Sequence, residues 1–254
     1  SDAESYNRVV GLDYNLASAD NTWFGKFYAH KSFTPEVSQD DYSAGASLQY
    51  NSNSWRIRGS GLIIGENFNS DLGFIRRKDI LKIDPRIDRL IFPKKGVINR
   101  HTFSFSPEFI WRPNLDMQNT DYNLQTSWNA ELKNTSNFSV RMFNRYVFLF
   151  DSFDPSRSDG TPLPANTEYS WTSFQLQYRS DQRKVLSYEI SPTAGQFFNG
   201  DLYGLRANVN LRLQPHFNLA FQARYDYIQL PKPFATANLW LLGPRIDVTF
   251  NKSV

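Results

Sequence analysis

The 254-residue chain carries 28 Lys and Arg against 25 Asp and Glu, a net charge of +3 that is too slight and too dispersed for a nucleic-acid surface. Aromatic residues are 16% of the chain while the hydrophobic total is only 40%, which disfavours a thick aliphatic core and favours a thin apolar band edged by rings. There is no Cys, which excludes a disulfide framework and a thiolate metal site.

No run approaches the roughly 18 apolar residues of a membrane-spanning helix. The longest apolar runs are YVFLF from Tyr146 and LWLL from Leu239. The opening SDAESYNRVV lacks a basic region followed by an apolar stretch, so an export signal is expected to have been removed or to lie outside this sequence.

Alternation with a period of two recurs from end to end, bounded by Asn, Asp, Gly, Ser and Pro, and predicts about thirteen strands. In chain order they are Arg8 to Leu16, Thr22 to His30, Tyr42 to Tyr50, Trp55 to Gly65, Arg77 to Phe92, Arg100 to Arg112 and Thr120 to Leu132. There follow Asn137 to Phe150, Thr167 to Arg179, Lys184 to Phe197, Leu202 to Leu213, Phe217 to Leu230 and Ala237 to Phe250. The fifth carries a Pro and a broken alternation in IDPRIDRL. Most reach or pass the ~9–11 residues that a tilted strand needs to cross a bilayer, whereas globular strands centre on about 5–6.

Connections also differ in length. ASADN, NSNS, KNTS, SDQR and QPH are tight, while KSFTPEVSQDD, ENFNSDLGFIR and DSFDPSRSDGTPLPAN are long. Short and long largely alternate, as in outer-membrane barrels, although FNGD and PKPFAT are short where long ones are expected. An odd strand count leaves one edge unpaired, so further strands are expected after Val254, or the count is off by one.

In Asp121 to Leu132, Tyr122, Leu124, Thr126, Trp128, Ala130 and Leu132 point one way, and Asp121, Asn123, Gln125, Ser127, Asn129 and Glu131 the other. With lipid on the apolar side, the expected lumen-lining set is Arg56, Arg58, Glu108, Asp121, Glu131, Arg141, Arg145, Glu189, Arg206, Arg212, Arg224, Asp226, Arg245 and Asp247. Such a mixed-sign wall either tunes selectivity or pairs across strands to brace itself, and pairing is the first expectation. Aromatics near strand ends, Trp23, Tyr50, Trp55, Trp111, Trp128, Tyr146, Phe148, Phe150, Tyr225 and Tyr227, are expected to form interfacial girdles. The bland alternative is a soluble sandwich with an aromatic core; strand length argues against it.

Catalytic signals are weak. His30, His101 and His216 lack metal-ligand spacing, and no GxSxG, HExxH, P-loop or paired-glycine fingerprint occurs. A pairing of His101 with Ser104 or Ser106 is discounted, because Ser and His this close are common by chance. Asp151, Asp154 and Asp159 do not match an EF-hand and read as turn formers; Asn67, Asn69 and Asp71 read as turn caps, with Phe74 packing their loop. No catalytic residue, metal or cofactor is expected.

Several segments together resemble a known family. NRVVGLDYN, ENFNSDLGFIRR, FDPSRSDGTPLPAN, QLQYRSDQRK and LWLLGPRIDVTFNKS are similar to the outer-membrane β-barrel domain of unknown function found behind family 9 type carbohydrate-binding domains in Gram-negative bacteria. The resemblance covers nearly the whole chain, with GFIRR, SDGTPLP and GPRIDVTF its most specific parts. It implies one all-β, antiparallel up-and-down transmembrane barrel domain over residues 1–254, with a sugar-binding domain before residue 1 and more barrel after Val254. It supplies no catalytic residues.

The expected protein is therefore a non-catalytic outer-membrane barrel, a channel or a membrane anchor linked to surface glycan handling, with lipid, other outer-membrane proteins and glycans as partners. The alternatives are an accessory barrel in a larger secretion, uptake or assembly complex, and a soluble β-rich glycan-binding or glycan-cleaving protein with two carboxylates about 5–9.5 Å apart in a cleft.

Overall fold

The computed structural model describes residues 6–249, apart from Glu36, Leu72, Asp159 and Gln214. Among the described residues the chain is all-β: one antiparallel sheet of fourteen strands and a single short 3-10 turn, Pro113–Leu115. The strands are β1 (Arg8–Ala17), β2 (Trp23–Phe33), β3 (Tyr42–Asn51), β4 (Trp55–Ile64), β5 (Ile80–Ile83), β6 (Arg86–Ile91) and β7 (Ile98–Arg112). Then come β8 (Gln118–Leu132), β9 (Asn137–Leu149), β10 (Thr167–Arg179), β11 (Leu186–Phe197), β12 (Gly200–Leu213), β13 (Phe217–Gln229) and β14 (Thr236–Val248). Neighbours in sequence are neighbours in the sheet except β5 and β6, which do not pair with each other and each pair with β4 and β7.

Twelve of the thirteen expected strands are found with ends shifted by no more than a few residues. The expected Arg77 to Phe92 strand is corrected. Its first residues lie outside any strand, and the remainder divides at Asp84 and Pro85. Proline has no N–H to donate to a ladder. Register nevertheless continues across the gap, since Gly61↔Ile83 and Arg58↔Arg86 share one offset. Ser60 spans the break: its carbonyl accepts from the Asp84 N–H at 2.9 Å and its hydroxyl donates to the Asp84 carbonyl at 3.0 Å. β5 and β6 thus fill one row. Phe250, the expected end of the last strand, lies outside the described residues.

Two compact units divide the chain: Ser1–Arg89 with Ser104–Leu124, and Leu90–Phe103 with Gln125–Val254. Tight turns in each are held by local side-chain bonds. In the first unit, Ser18 Oγ accepts the N–H groups of Thr22 (3.1 Å) and Trp23 (2.9 Å), and the Asp20 carboxylate accepts from both the N–H (3.1 Å) and hydroxyl (2.7 Å) of Thr22. In the second unit, Asn134 Oδ1 accepts from Ser136 at both N (3.1 Å) and Oγ (2.7 Å), while Asp181 accepts from the Arg183 N–H at 2.9 Å.

The hydrogen bonds from Ser18 and Thr22 lower the Asp20 carboxyl from its ordinary 3.8 to about 2. A carboxylate with a depressed folded-state value stabilises the turn above its unfolded value and loses that contribution as the pH falls through the folded one. Hydrogen-exchange protection of the Thr22 amide is therefore expected to hold above about pH 4 and to fall toward pH 2, and Asp20→Asn is expected to abolish that dependence.

Candidate functional site

Residues directly opposite in an antiparallel pair put their side chains on the same face. Register therefore sorts the side chains of each unit into two sets. In the first unit, Leu12↔Ala29↔Ala44↔Ile63↔Leu81 and Leu16↔Gly25↔Leu48↔Gly59 run across an apolar face. In the second, Leu186↔Leu211↔Leu219↔Ile246 and Tyr188↔Val209↔Phe221↔Pro244 do the same. The opposite face of the second unit carries Glu189↔Asn208↔Gln222 and Ser187↔Asn210. The apolar face of each unit is uncovered: Leu12 is 81% exposed in the first, and Trp240 67% and Ile246 62% in the second.

Rings gather toward the strand ends on that apolar face. In the first unit Trp23 lies 5.1 Å from Tyr50, and Trp55 takes the Arg89 guanidinium over its ring at 4.8 Å. These sit at tight-turn ends; Trp111, 5.6 Å from Phe109, sits at the opposite end of its strand. In the second unit Trp128 packs edge-on to Phe138 and also donates Nε1–H to His101 Nδ1 at 3.1 Å. Toward the long-loop ends, Tyr225 packs against Trp240 at 4.4 Å, Tyr227 stacks on Tyr203, and the Tyr146 hydroxyl donates to Glu168 at 3.0 Å. Phe150 falls just past the end of β9 and packs edge-on to Phe148 at 4.9 Å.

The charged set lies on the polar face. In the first unit these are Arg56, Arg58, Glu108 and Asp121; Lys82 Nζ meets Glu108 at 2.5 Å, and Arg77 meets Asp121 at 2.6 Å. In the second unit Glu131 pairs with Arg100 (2.6 Å), Glu189 with Arg179 (2.6 Å), Arg224 with Asp226 (2.5 Å) and Arg245 with Asp247 (3.0 Å). Arg141 bridges Gln175 (2.9 Å) and Gln177 (2.7 Å) instead of a carboxylate. Arg145 lies 4.4 Å over the Phe143 ring and donates to Ser173 Oγ at 3.4 Å. Arg206 and Arg212 have no carboxylate partner among the described residues. The partners Arg100, Arg179 and Lys82 were not singled out from sequence, though each has polar-face parity.

At the long-loop end of the second unit the polar face turns aromatic. Trp171 stacks on Phe198 at 4.7 Å, Phe198 meets Phe153 at 5.7 Å, and Ile228, Leu230 and Ala237 bury beside Phe197 and Leu202. The loop 150–166 is folded rather than splayed: Phe153 and Leu163 exchange backbone hydrogen bonds at 3.1 and 2.8 Å, and Leu163 is 0% exposed. Asp154 closes its bend by accepting from the Ser156 hydroxyl (2.5 Å), which does most to hold its carboxyl below the usual carboxylate range, and from the Ser156 N–H (2.8 Å) and Ser158 N–H (3.0 Å). That is the turn role expected of it; Asp159 lies outside the described residues. Trp171 was missed from sequence, and the available signal was an aromatic residue at polar parity beside a long loop.

Beneath that aromatic end lies a hollow of about 220 Å³, lined by Arg145, Trp171, Gln175, Arg206, Arg224 and Asp226 among others. Gly195 forms part of the adjoining strand at φ +140°, where an added Cβ would lie 2.7 Å from both Ser173 Cα and Thr172 O. Gly195→Ala is expected to destabilise the fold by about 1 kcal/mol or more, measured by urea denaturation.

In the first unit, the loop 65–79 is anchored by Phe68, 6% exposed, while Phe74 is 90% exposed. This corrects the expected packing role of Phe74. Backbone bonds from Gly65 to Tyr42 and Asn67 to Asp40 clamp the chain beside Phe68, and Phe74 is carried beyond them. Asn67 joins segments rather than capping a turn, its Nδ2 donating to the Gln39 carbonyl at 3.0 Å, while Asn69 keeps a local side-chain bond, Nδ2 to Asp71 Oδ1 at 2.9 Å, and donates its backbone N–H to Ser32 Oγ at 3.1 Å.

Among the described residues no group of three or more His, Asp or Glu is placed to hold a metal ion. His101 and the Ser104 and Ser106 hydroxyls have opposite parity in β7, so they point to opposite sides of that strand. No helix is long and apolar enough to cross a membrane, which says nothing about crossing by strands.

Neither a curated protein nor a solved structure matches the chain. A family model, a domain of unknown function designated DUF5916, matches residues 2–252, and the chain therefore belongs to that family.

Proposed function

We propose that this chain is a transmembrane β-barrel domain of the outer membrane of a Gram-negative bacterium, with its apolar face on lipid and its polar face lining a water-filled interior. It acts without catalysis, as a channel or as a membrane anchor linked to surface glycan handling. The observation that carries this reading is the two-faced register within each unit: strands of ten or more residues, β5 and β6 excepted, with large, uncovered apolar side chains on one face and mostly paired charges on the other. A soluble sheet would lose about 25 cal/mol for each Å² of apolar surface left in water, whereas lipid removes that cost. Rings toward both ends of the strands supply interfacial anchors.

Heat modifiability tests the reading. Protein extracted in detergent is expected to run faster in SDS before boiling than after, as a closed barrel resistant to SDS does. No shift, with solubility in the absence of detergent, overturns it.

A further inference from the structure

We propose that the hollow on the polar face of the second unit is a binding site for a small anion or for the acidic group of a larger solute. The site is defined by donors that lack acceptors. Arg206 and Arg224 stand directly opposite each other on β12 and β13, a like-charge pair that is unfavourable on stability grounds. Asp226 neutralises Arg224 at 2.5 Å, which leaves Arg206 without a carboxylate among the described residues. Arg145 enters the same hollow and, among the described residues, meets a hydroxyl and an aromatic ring and no carboxylate. Three guanidinium groups therefore share one carboxylate.

Trp171 supplies an independent observation. Its side chain lines the hollow at 8% exposure, and its Nε1–H is buried with no acceptor among the described residues. A buried donor without a partner costs free energy until something accepts from it. Carboxylate, phosphate or sulfate oxygens accept from guanidinium N–H groups, and a cation or a pure donor does not; the indole N–H, which has almost no accessible surface, joins them only where Trp171 turns toward the bound group. Gly204 lines the hollow beside Asp226, where an added Cβ would lie 2.7 Å from Asp226 Oδ1 and would push that carboxylate aside. As the selectivity element of a channel the site rests on the channel reading; as a binding site it is tested without it.

The probe is inorganic sulfate, titrated calorimetrically into the full chain in detergent with chloride at matched ionic strength as control. Saturable sulfate binding is expected, weakened about tenfold or more in Arg206→Gln. Arg206 is exposed and faces a like charge, so that variant is expected to melt at the same temperature or higher. Should it fail to fold, Arg145→Gln carries the same expectation. Equal affinity in the variant, or no binding above chloride, overturns the site. Reversal potentials in planar bilayers separate the two readings: sulfate binding without conductance removes the channel alone, and conductance without sulfate binding removes the site alone.

Discussion

Arginine in place of Leu205 is expected to destabilise the inserted protein by about 1–3 kcal/mol, between the ~2–4 kcal/mol of a cation at the bilayer midplane and the ~0–1 kcal/mol of one near the interface on the lipid face of a barrel. Leu205 lies on the apolar face of β12 between Pro192 and Tyr225, two residues inward of the Tyr203–Tyr227 ring pair, and is 46% exposed. Arginine at Asn208, three positions along the same strand on the polar face, is expected to be tolerated, since it faces Glu189 across β11. The alternation already predicts the same contrast between Leu124 and Asn123. Reversible folding into vesicles, followed by denaturant titration, measures both. Equal costs at Leu205 and Asn208 would contradict lipid on the apolar side.

Leu163→Ala is expected to remove about 2–5 kcal/mol of local stability from the loop 150–166, the usual cost of emptying a leucine site. Leu163 is fully buried, and its two backbone bonds to Phe153 are the only isolated bridge among the described residues. Loss of even the smaller amount speeds exchange of the Phe153 and Leu163 amides by about thirtyfold. Mid-strand amides of β10 are expected to be unchanged, because the ladder to β9 runs unbroken from Thr167 to Arg179. Uniform acceleration throughout β10 would mean that the loop and the sheet open together.

Strand placement was legible because period-two alternation persists over ten or more residues, and one misplaced residue would turn every apolar side chain to the polar face. Glu108, Glu131 and Glu189 were legible as polar-face residues for the same reason. Their partners were not, because the meeting of Arg100 with Glu131 depends on which rows of adjacent strands align. The same holds for Arg206 opposite Arg224, which only register brings together. Pro85 gave the correct warning in the fifth strand, yet its effect was confined to the ladder because Ser60 holds the gap. Loop packing was the least legible: Phe68 and Phe74 are the same residue type in one loop, and only backbone clamps distinguish them.

The most direct measurement is a spin-label scan along β12, from Leu202 to Leu211, in lipid vesicles. The chain has no Cys, so each introduced cysteine carries the only label. Collision with oxygen, which partitions into lipid, is expected to peak at Tyr203, Leu205, Ala207, Val209 and Leu211. Collision with a water-soluble nickel complex is expected to peak at Gly204, Arg206, Asn208 and Asn210, while Leu202, packed beside Ile228 and Leu230, is low in both. Two opposed waves of period two would place lipid against the apolar face; high water-soluble collision at both sets, with no oxygen wave, would contradict it.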